Sequence, residues 1–262
     1  MCADPYASIA EYYDVEHASY GEDFDFYLNF IVATGDPVLE LACGSGRLLV
    51  PIAEAGYRVT GLDRSPAMLA RAAKSVAEAG VSERVRLHEG DMTEAPAAPG
   101  GPFGVVIIAL NGLLHAEDLS TQRRVLEAAR AALDPRGQLL IDVLNPTPDT
   151  LKALDHTLVH EGTWQLANGD RLDKFSARRV HPARQIIQTE VWYDRTSPDG
   201  SVRRTATSFP MRYLHPGELE LLLELAGFAE WQIYGSYDLD PLDDHSDRIL
   251  VAAEVTPSPR PR

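Results

Sequence analysis

The chain has 262 residues, 45% of them hydrophobic, and a formal net charge of −15. This length fits one large domain or two small ones, and the acidic balance argues against a broad phosphate-binding surface for nucleic acid. No apolar run is long enough to span a bilayer, the N-terminus lacks the pattern of a signal peptide, and the two cysteines (Cys2 and Cys43) give no disulfide framework. We therefore expect a cytoplasmic protein without a membrane or nucleic-acid partner.

The first 35 residues are rich in tyrosine and form the first predicted unit. A short helix is expected over 9–14, which contains Tyr12 and Tyr13, and a second helix over 24–34. Two interpretations stay open for this segment. It packs its tyrosines against the body of the protein, or it is a lid over a site.

A buried strand after Pro37 runs into a small-residue turn and then into a helical pattern from Arg47. Gly44 and Gly46 let the backbone turn sharply and let a ligand approach it, and the helix N-terminus offers free N–H groups. This unit predicts a site for a nucleotide-like ligand. A dinucleotide fingerprint would need glycine where Leu49 stands, and the carboxylate of Glu40 would repel a pyrophosphate, so an NAD-dependent oxidoreductase is a disfavoured alternative.

The next strands are predicted at 58–63 and 85–89, each followed by an acidic residue or ending in one. Asp63, 19 positions after Gly44, would lie beside the first turn, where its two oxygens can accept hydrogen bonds from ribose hydroxyls. Between them, Ser65 and Pro66 start a helix as its cap and first residue. Asp91 follows the third strand, at the same edge of the sheet.

A fourth strand (104–109) delivers a loop that includes Leu110, Asn111 and His115 to this edge. A helix (119–133) and a turn (134–137) lead to a fifth strand (138–144). Five alternations of strand and helix predict an α/β fold with a doubly wound parallel sheet. Pro146 and Pro148 end this alternation. From 157 to 213, strands separated by turn signals predict an antiparallel β-meander of four strands. A helix from 215 and two strands, 228–235 and 249–255, complete the core, and 256–262 form a Pro-rich tail that we expect to be disordered.

The predicted units are an N-terminal helical lid segment (1–35), an α/β core (36–145), the β insert (146–213), the rest of the core (214–255) and the tail (256–262). Residues 145–213 carry ten Lys and Arg against eight Asp and Glu, a charge of +2, which leaves −17 for the rest of the chain. Three interpretations of the insert stay open. It is a solvated outer face, a cap over an anionic acceptor, or a homodimer contact.

Residues 40–46 resemble motif I of the class I S-adenosylmethionine (SAM) dependent methyltransferases, [D/E]-x-G-x-G-x-G, with Ala42 in place of the first glycine. The resemblance extends to Asp63 and Asp91-Met92, and the β insert is similar to that of small-molecule enzymes such as the aminosugar N,N-dimethyltransferases and glycine N-methyltransferase. It implies a mostly parallel, seven-stranded, Rossmann-like sheet, SAM as cofactor, S-adenosylhomocysteine (SAH) as product, and methyl transfer to N or O of a small molecule. The residues to which it assigns cofactor binding are Tyr13, Glu40, Ala42, Gly44, Gly46, Arg47, Asp63, Arg64, Met68, Asp91, Met92 and Leu110.

In the family, an N-terminal Tyr-Asp segment closes over the cofactor, and Tyr12-Tyr13-Asp14 looks like it. The expected catalytic set is His115 as general base, Tyr12 or Tyr13 closing the site, and Asn111 as a hydrogen-bond partner of the acceptor. A packing or capping role for His115 is the alternative. No Cys/His spacing indicates a metal site. A SAM-binding sensor or assembly protein without turnover is the rival function.

Overall fold

The computed structural model describes residues 4–18 and 20–256, so Cys2 and the predicted disordered tail beyond Thr256 lie outside the described residues. The strands are β1 (Val38–Leu41), β2 (Val59–Asp63), β3 (Val85–Glu89), β4 (Phe103–Ile108), β5 (Leu133–Leu144), β6 (Thr157–Gln165), β7 (Arg171–His181), β8 (Ile186–Thr196), β9 (Val202–Arg212), β10 (Glu230–Tyr234) and β11 (Arg248–Glu254). The α-helices are α1 (Ala10–His17), α2 (Phe24–Thr34), α3 (Leu49–Glu54), α4 (Pro66–Glu78), α5 (Leu119–Ala132), α6 (Pro148–Leu154) and α7 (Pro216–Ala226).

Seven strands form the central sheet in the order β10-β11-β5-β4-β1-β2-β3. Strands β1 to β5 pair in parallel, whereas β11 is antiparallel to both β5 and β10. Strands β6 to β9 form a separate antiparallel sheet in sequential order, after β5. The predicted fold class is therefore confirmed, including the insert after the fifth strand.

Strands β1, β2 and β4 are buried along their whole length, as the unbroken apolar run of β4 predicts for a strand covered on both faces. On β4, Val105 and Ile107 belong to the core cluster beneath α2 and α3, while Val106 and Ile108 belong to the cluster beneath α5 and α7. Alternation of side chains along each strand thus places one hydrophobic layer on each side of the sheet.

Two predictions around β5 need correction, a turn before it and the absence of a helix after it. The predicted turn at 134–137 lies inside β5: pairing with β4 jumps from Phe103↔Leu133 to Val105↔Gln138, so the turn is an irregularity within one strand. Helix α6 was not predicted, because Pro146 and Pro148 suggested a break. Pro148 instead occupies the first turn of α6, behind the Thr147 side chain, which accepts from the Thr150 N–H.

Helix α1 lies between the two sheets and is held from both sides. Its apolar face packs Tyr12 against Tyr193 of the insert, with ring centroids 5.1 Å apart. Its polar side pairs Glu16 with Lys174 of the insert and Asp14 with Arg71 of α4. The N-terminal segment therefore bridges the α/β core and the inner face of the insert, at the carboxyl end of the parallel strands.

Candidate functional site

The turn after β1 has a backbone that few side chains tolerate. Ala42, Gly44 and Gly46 all have positive φ values of 57°, 54° and 84°. The left-handed conformation costs a non-glycine residue roughly 1–2 kcal/mol, so Ala42 is strained where the related motif has glycine. A Cβ on Gly46 would lie 3.0 Å from the Ala72 Cβ of α4, so this glycine allows the turn to pack against the helix.

This turn borders a cavity of about 340 Å³ at the carboxyl end of the parallel strands. The predicted site residues that line it are Tyr13, Glu40, Ala42, Gly44, Arg47, Asp63, Arg64, Met68, Asp91, Met92, Leu110 and His115. Three predicted residues, Gly46, Tyr12 and Asn111, are absent from its lining. The cavity therefore brings together side chains from four consecutive β-strand ends, as expected for a ligand site in an open α/β sheet.

Glu40 lies at the bottom of the cavity and is only 4% exposed. Its Oε2 is buried without a hydrogen-bond partner among the described residues. Burial raises the pKa of this carboxyl to about 8; Arg47 opposes the shift, and Asp23 and Asp63 add to it. An unpartnered buried carboxylate oxygen is costly, so the site suits a ligand that brings a cationic donor, such as the amino group of SAM.

Arg47 lines the same part of the cavity and is held in place by Asp23 and Tyr20, which do not line it. Its Nη1 and Nη2 donate to the two carboxylate oxygens of Asp23, at 2.7 and 2.6 Å, and its guanidinium lies 5.1 Å from the centre of the Tyr20 ring. Asp23 is fully buried. This bidentate pair fixes a positive charge beside Glu40, where a ligand carboxylate could be bound.

Asp63 ends β2 and organises two neighbouring turns. Its Oδ2 accepts from the Gly44 N–H and its Oδ1 from the Ser65 N–H, both at 2.8 Å. Burial raises the pKa of this carboxyl above its usual value, although these two backbone donors and Arg64 act in the opposite direction. Each oxygen keeps a further lone pair, so the side chain can still accept from ligand hydroxyls.

Asp91 and Met92 occupy the turn after β3. The Asp91 Oδ1 accepts from the Thr93 N–H and hydroxyl, at 2.9 and 2.7 Å, and the Glu94 side chain accepts in return from the Asp91 N–H. This reciprocal cap fixes the short 3₁₀ turn that carries both residues to the cavity wall. The free lone pairs of Asp91 are available to a ligand amino group.

His115 closes the far end of the cavity, where the loop after β4 meets the insert. Its Nε2 lies 3.0 Å from the Tyr6 hydroxyl, and its ring is 5.3 Å from that of Phe209 on β9. Burial, together with Arg64, lowers the pKa of His115 to about 4. The imidazole is therefore neutral at physiological pH and is a much weaker base than an exposed histidine.

Two predicted catalytic residues point elsewhere. Tyr12 lies on the face of α1 that is buried against the insert, whereas Tyr13, one position later on the helix, faces the cavity. Asn111 has a left-handed backbone (φ 67°), and its Oδ1 accepts from the Leu144 N–H at 2.7 Å. Its side chain thus joins the ends of β4 and β5, so we assign it a structural role.

Asp4 and Tyr6, from the N-terminal segment, are among the cavity residues that were not predicted. The Asp4 Oδ2 accepts from the Ser65 hydroxyl at 2.5 Å, which fixes the N-terminal segment to the cap of α4. The only available sequence signal was the row of tyrosines, and the spacing of seven between Tyr6 and Tyr13 did not show which of them meet. These contacts span 61 residues for Asp4 and 109 for Tyr6.

Within residues 4–18 and 20–256, no three or more His, Cys, Asp or Glu side chains are grouped so as to hold a metal ion. None of the helices in these ranges combines the length and the apolar character needed to cross a membrane.

Comparisons with known proteins agree with this geometry. A family model described as a methyltransferase domain matches residues 38–137. The putative methyltransferase YqeM of Bacillus subtilis is 32% identical over 260 residues, which cover 95% of this chain and 96% of YqeM. The structure of the CcbJ methyltransferase from Streptomyces caelestis is 25% identical, with a TM-score of 0.70 over 90% of this chain and 96% of CcbJ. The sugar N-methyltransferase KedS8 from Streptoalloteichus sp. ATCC 53650 is 20% identical, with a TM-score of 0.71 over 92% of each chain.

Proposed function

This chain belongs to the SAM-dependent methyltransferase family, and we propose that its acceptor is an amine nitrogen of a small molecule. The family assignment, which rests on the full-length likeness to YqeM, confirms the predicted resemblance and the predicted enzyme class. It replaces the two alternatives, a SAM-binding sensor without turnover and an NAD-dependent oxidoreductase.

The residues around the cavity fit SAM. We assign the unpartnered Glu40 carboxylate to its amino group, Arg47 to its carboxylate, Asp63 to its ribose, and Asp91 with Met92 to its adenine. When bound, SAM supplies a methyl group on a sulfonium: the carbon–sulfur bond breaks as the acceptor's lone pair forms the new bond, and the electron pair stays on sulfur. The aromatic walls of the cavity, Tyr6, Tyr13 and His115, suit a sulfonium cation.

The weak basicity of His115 favours nitrogen over oxygen as the acceptor atom. A hydroxyl acceptor must lose its proton to become a good nucleophile, and an imidazole with a pKa of about 4 is poorly suited to remove it. A neutral amine already has a free lone pair and requires only correct positioning, which can contribute roughly 7–11 kcal/mol in favourable cases. The predicted role of His115 as general base is therefore not needed, because a correctly positioned amine can react without one. KedS8 is a sugar N-methyltransferase by name, but at 20% identity its likeness supports the fold alone.

The experiment is a screen of SAM turnover with three matched sets of acceptors: amines, including aminosugars, then phenols, and then alcohols of similar size. We expect SAH formation with amines. The rate should rise with pH, because the ammonium form of the acceptor loses its proton in solution and becomes the nucleophilic free amine. Turnover confined to phenols or alcohols would contradict the amine proposal without affecting the SAM assignment.

The inner face of the insert supports its role as an acceptor cap. Phe209 of β9 contacts both His115 and Tyr6, with ring centroids 5.3 and 5.5 Å apart. An acceptor that reaches the cavity beside these rings would therefore contact the insert. We also infer that the protein has no nucleic-acid partner, from its net charge of −15, and a cytoplasmic location, from two cysteines that give no disulfide framework.

We infer further that the outer face of the insert is a homodimer contact. An aromatic row crosses this face, with ring centroids 4.9 Å apart between His160 and Phe175 and 5.8 Å apart between Phe175 and Trp192. Arg204 covers the end of the row, 5.2 Å from the Trp192 ring, and Leu158 on the same face is 67% exposed.

The dimer inference predicts the effect of a charge on this face. Leu158→Glu should shift the protein toward a monomer, measured by light scattering across a dilution series. Val32→Glu is the matched control, because Val32 is 65% exposed on α2, which belongs to the core. A wild-type protein that is monomeric at all concentrations contradicts the inference, and so does a Leu158→Glu protein that dimerises normally.

A further inference from the structure

Residues 4 to 6 form a short strap across the cavity. One end is tied to the SAM-binding half, where Ser65 donates to Asp4 at 2.5 Å. The other end is tied to the insert, where the Thr207 hydroxyl of β9 donates to the Pro5 carbonyl at 2.6 Å. The Tyr6 side chain is therefore presented to the cavity by a segment that is fixed on both sides.

The ring of Tyr6 is itself confined by two others. It stacks on Phe209 with an interplanar angle of 24°, and it meets Tyr13 edge to face, with centroids 6.2 Å apart. This leaves the hydroxyl directed at the Nε2 of His115, 3.0 Å away. Both groups line the cavity that holds the residues assigned to SAM.

Both partners of this hydrogen bond are neutral groups. Burial raises the pKa of the Tyr6 hydroxyl well above its usual value, with Tyr13, Asp63 and Glu16 adding to the shift and Arg64 opposing it. Burial lowers the pKa of His115, and Arg64 acts in the same direction. In the Nδ1–H tautomer of His115, the imidazole Nε2 accepts from the Tyr6 hydroxyl, and the lone pairs of the Tyr6 oxygen remain available to other donors.

We propose that the Tyr6 oxygen accepts an N–H of the acceptor amine and thereby aims the amine lone pair, while His115 acts through Tyr6 as a positioning residue. The inference rests on the proposed amine acceptor and identifies the group that holds it. Orienting the N–H bond also orients the lone pair, because both are fixed on the same pyramidal nitrogen.

The hydrogen bond would strengthen as the reaction proceeds. The nitrogen becomes positively charged when the new N–C bond forms, and it keeps its N–H, so the bond to Tyr6 becomes charge-assisted. The extra proton is lost afterwards to water, and His115 never needs to carry it. This arrangement accepts primary and secondary amines and excludes tertiary amines, which have no N–H to donate. We therefore expect methylation to stop at the dimethylated amine.

The test compares Tyr6→Phe with Tyr12→Phe, using the most active primary amine of the screen and its N,N-dimethyl derivative. Each variant loses one hydroxyl, but Tyr12 lies outside the cavity lining. Tyr6→Phe should lower kcat by roughly 10–100-fold, the effect of losing a hydrogen bond to a charged group, while calorimetry shows SAH affinity within about twofold of wild type. Tyr12→Phe should keep wild-type kcat. Full kcat in Tyr6→Phe, or quaternisation of the dimethyl derivative by wild type, overturns the inference.

A double-mutant cycle and an NMR signal separate the roles of the two residues. If His115 acts through Tyr6, adding His115→Ala to Tyr6→Phe should cause little further loss of kcat; additive losses would mean that His115 meets the acceptor directly. In the protein without acceptor, the imidazole ¹⁵N signal of His115, assigned with His115→Ala, should shift in Tyr6→Phe, and an unchanged signal contradicts the hydrogen bond. A wild-type enzyme that methylates no amine contradicts the proposed function as well, whereas amine turnover unaffected by Tyr6→Phe contradicts only this inference.

Discussion

Asp63→Ala should weaken SAM binding on the order of 10²–10⁴-fold and reduce turnover at limiting SAM to a similar extent. The wild-type carboxylate holds the glycine turn through the Gly44 N–H and the cap of α4 through the Ser65 N–H, both at 2.8 Å. We also assign it the ribose hydroxyls. Hydrogen bonds to a charged group contribute roughly 1.5–3 kcal/mol each, so the loss of two of them corresponds to the expected change.

Calorimetry with SAM and SAH measures this change, and two variants make it specific. Asp63→Asn keeps one acceptor oxygen and should bind with intermediate affinity. Glu89→Ala is the matched control, because Glu89 pairs in register with Asp63 on β3 but does not line the cavity. Unchanged SAM affinity in Asp63→Ala would show that the ribose is held elsewhere, and an equal loss in Glu89→Ala would point to general damage of this sheet edge.

Glu40→Gln should lower SAM affinity by about 10–100-fold, because it replaces the carboxylate assigned to the SAM amino group with a neutral amide of the same shape. The effect should be smaller for an analogue of SAM that lacks the amino group, since that ligand does not use the charge. Equal losses for both ligands would mean that Glu40 acts through the fold and not through the ligand.

The raised pKa of Glu40, about 8, predicts that SAM binding expels a proton. The empty site is protonated at pH 6–7.5, while a bound ammonium favours the carboxylate, so affinity should rise with pH, by at most about tenfold per pH unit for one proton. Calorimetry in two buffers of different ionisation enthalpy should count nearly one released proton for wild type and none from this site in Glu40→Gln. Equal proton release in both proteins would contradict the assignment.

The same pKa determines how Glu40 affects stability without ligand. The folded-state pKa of Glu40 is raised above the unfolded value. Its contribution to the free energy of unfolding is therefore fully present below pH 4.5 and is lost as the pH rises through about 8. Thermal unfolding of the unligated wild type should therefore lose stability across this window relative to Glu40→Gln. A parallel pH dependence of the two proteins would indicate that Glu40 ionises normally in the folded state.

Much of the SAM half of the site could be predicted from the sequence, because its signals are local. Glu40, Asp63 and Asp91 each stand at or just after the end of a predicted strand, and the carboxyl ends of parallel strands meet at one edge of the sheet. Ser65 and Pro66 predict the start of helix α4 from their residue types alone. The Ser65 hydroxyl accepts from the Met68 N–H, as expected of an N-cap. Side-chain period and turn residues thus determined both the fold class and the cofactor-binding edge.

The acceptor half was decided by tertiary structure. Tyr12 and Tyr13 are neighbours in the chain, but they lie on different faces of α1, and only the packing of that helix on the insert turns Tyr13 toward the cavity. Tyr6 reaches His115 across 109 residues, a contact that no local pattern encodes. His115 is neutral and weakly basic because its surroundings are buried, and burial is a property of the assembled fold. Sequence therefore determined which residues stand at the strand ends, whereas the packing of α1, the strap and the insert decided which side chains meet the acceptor.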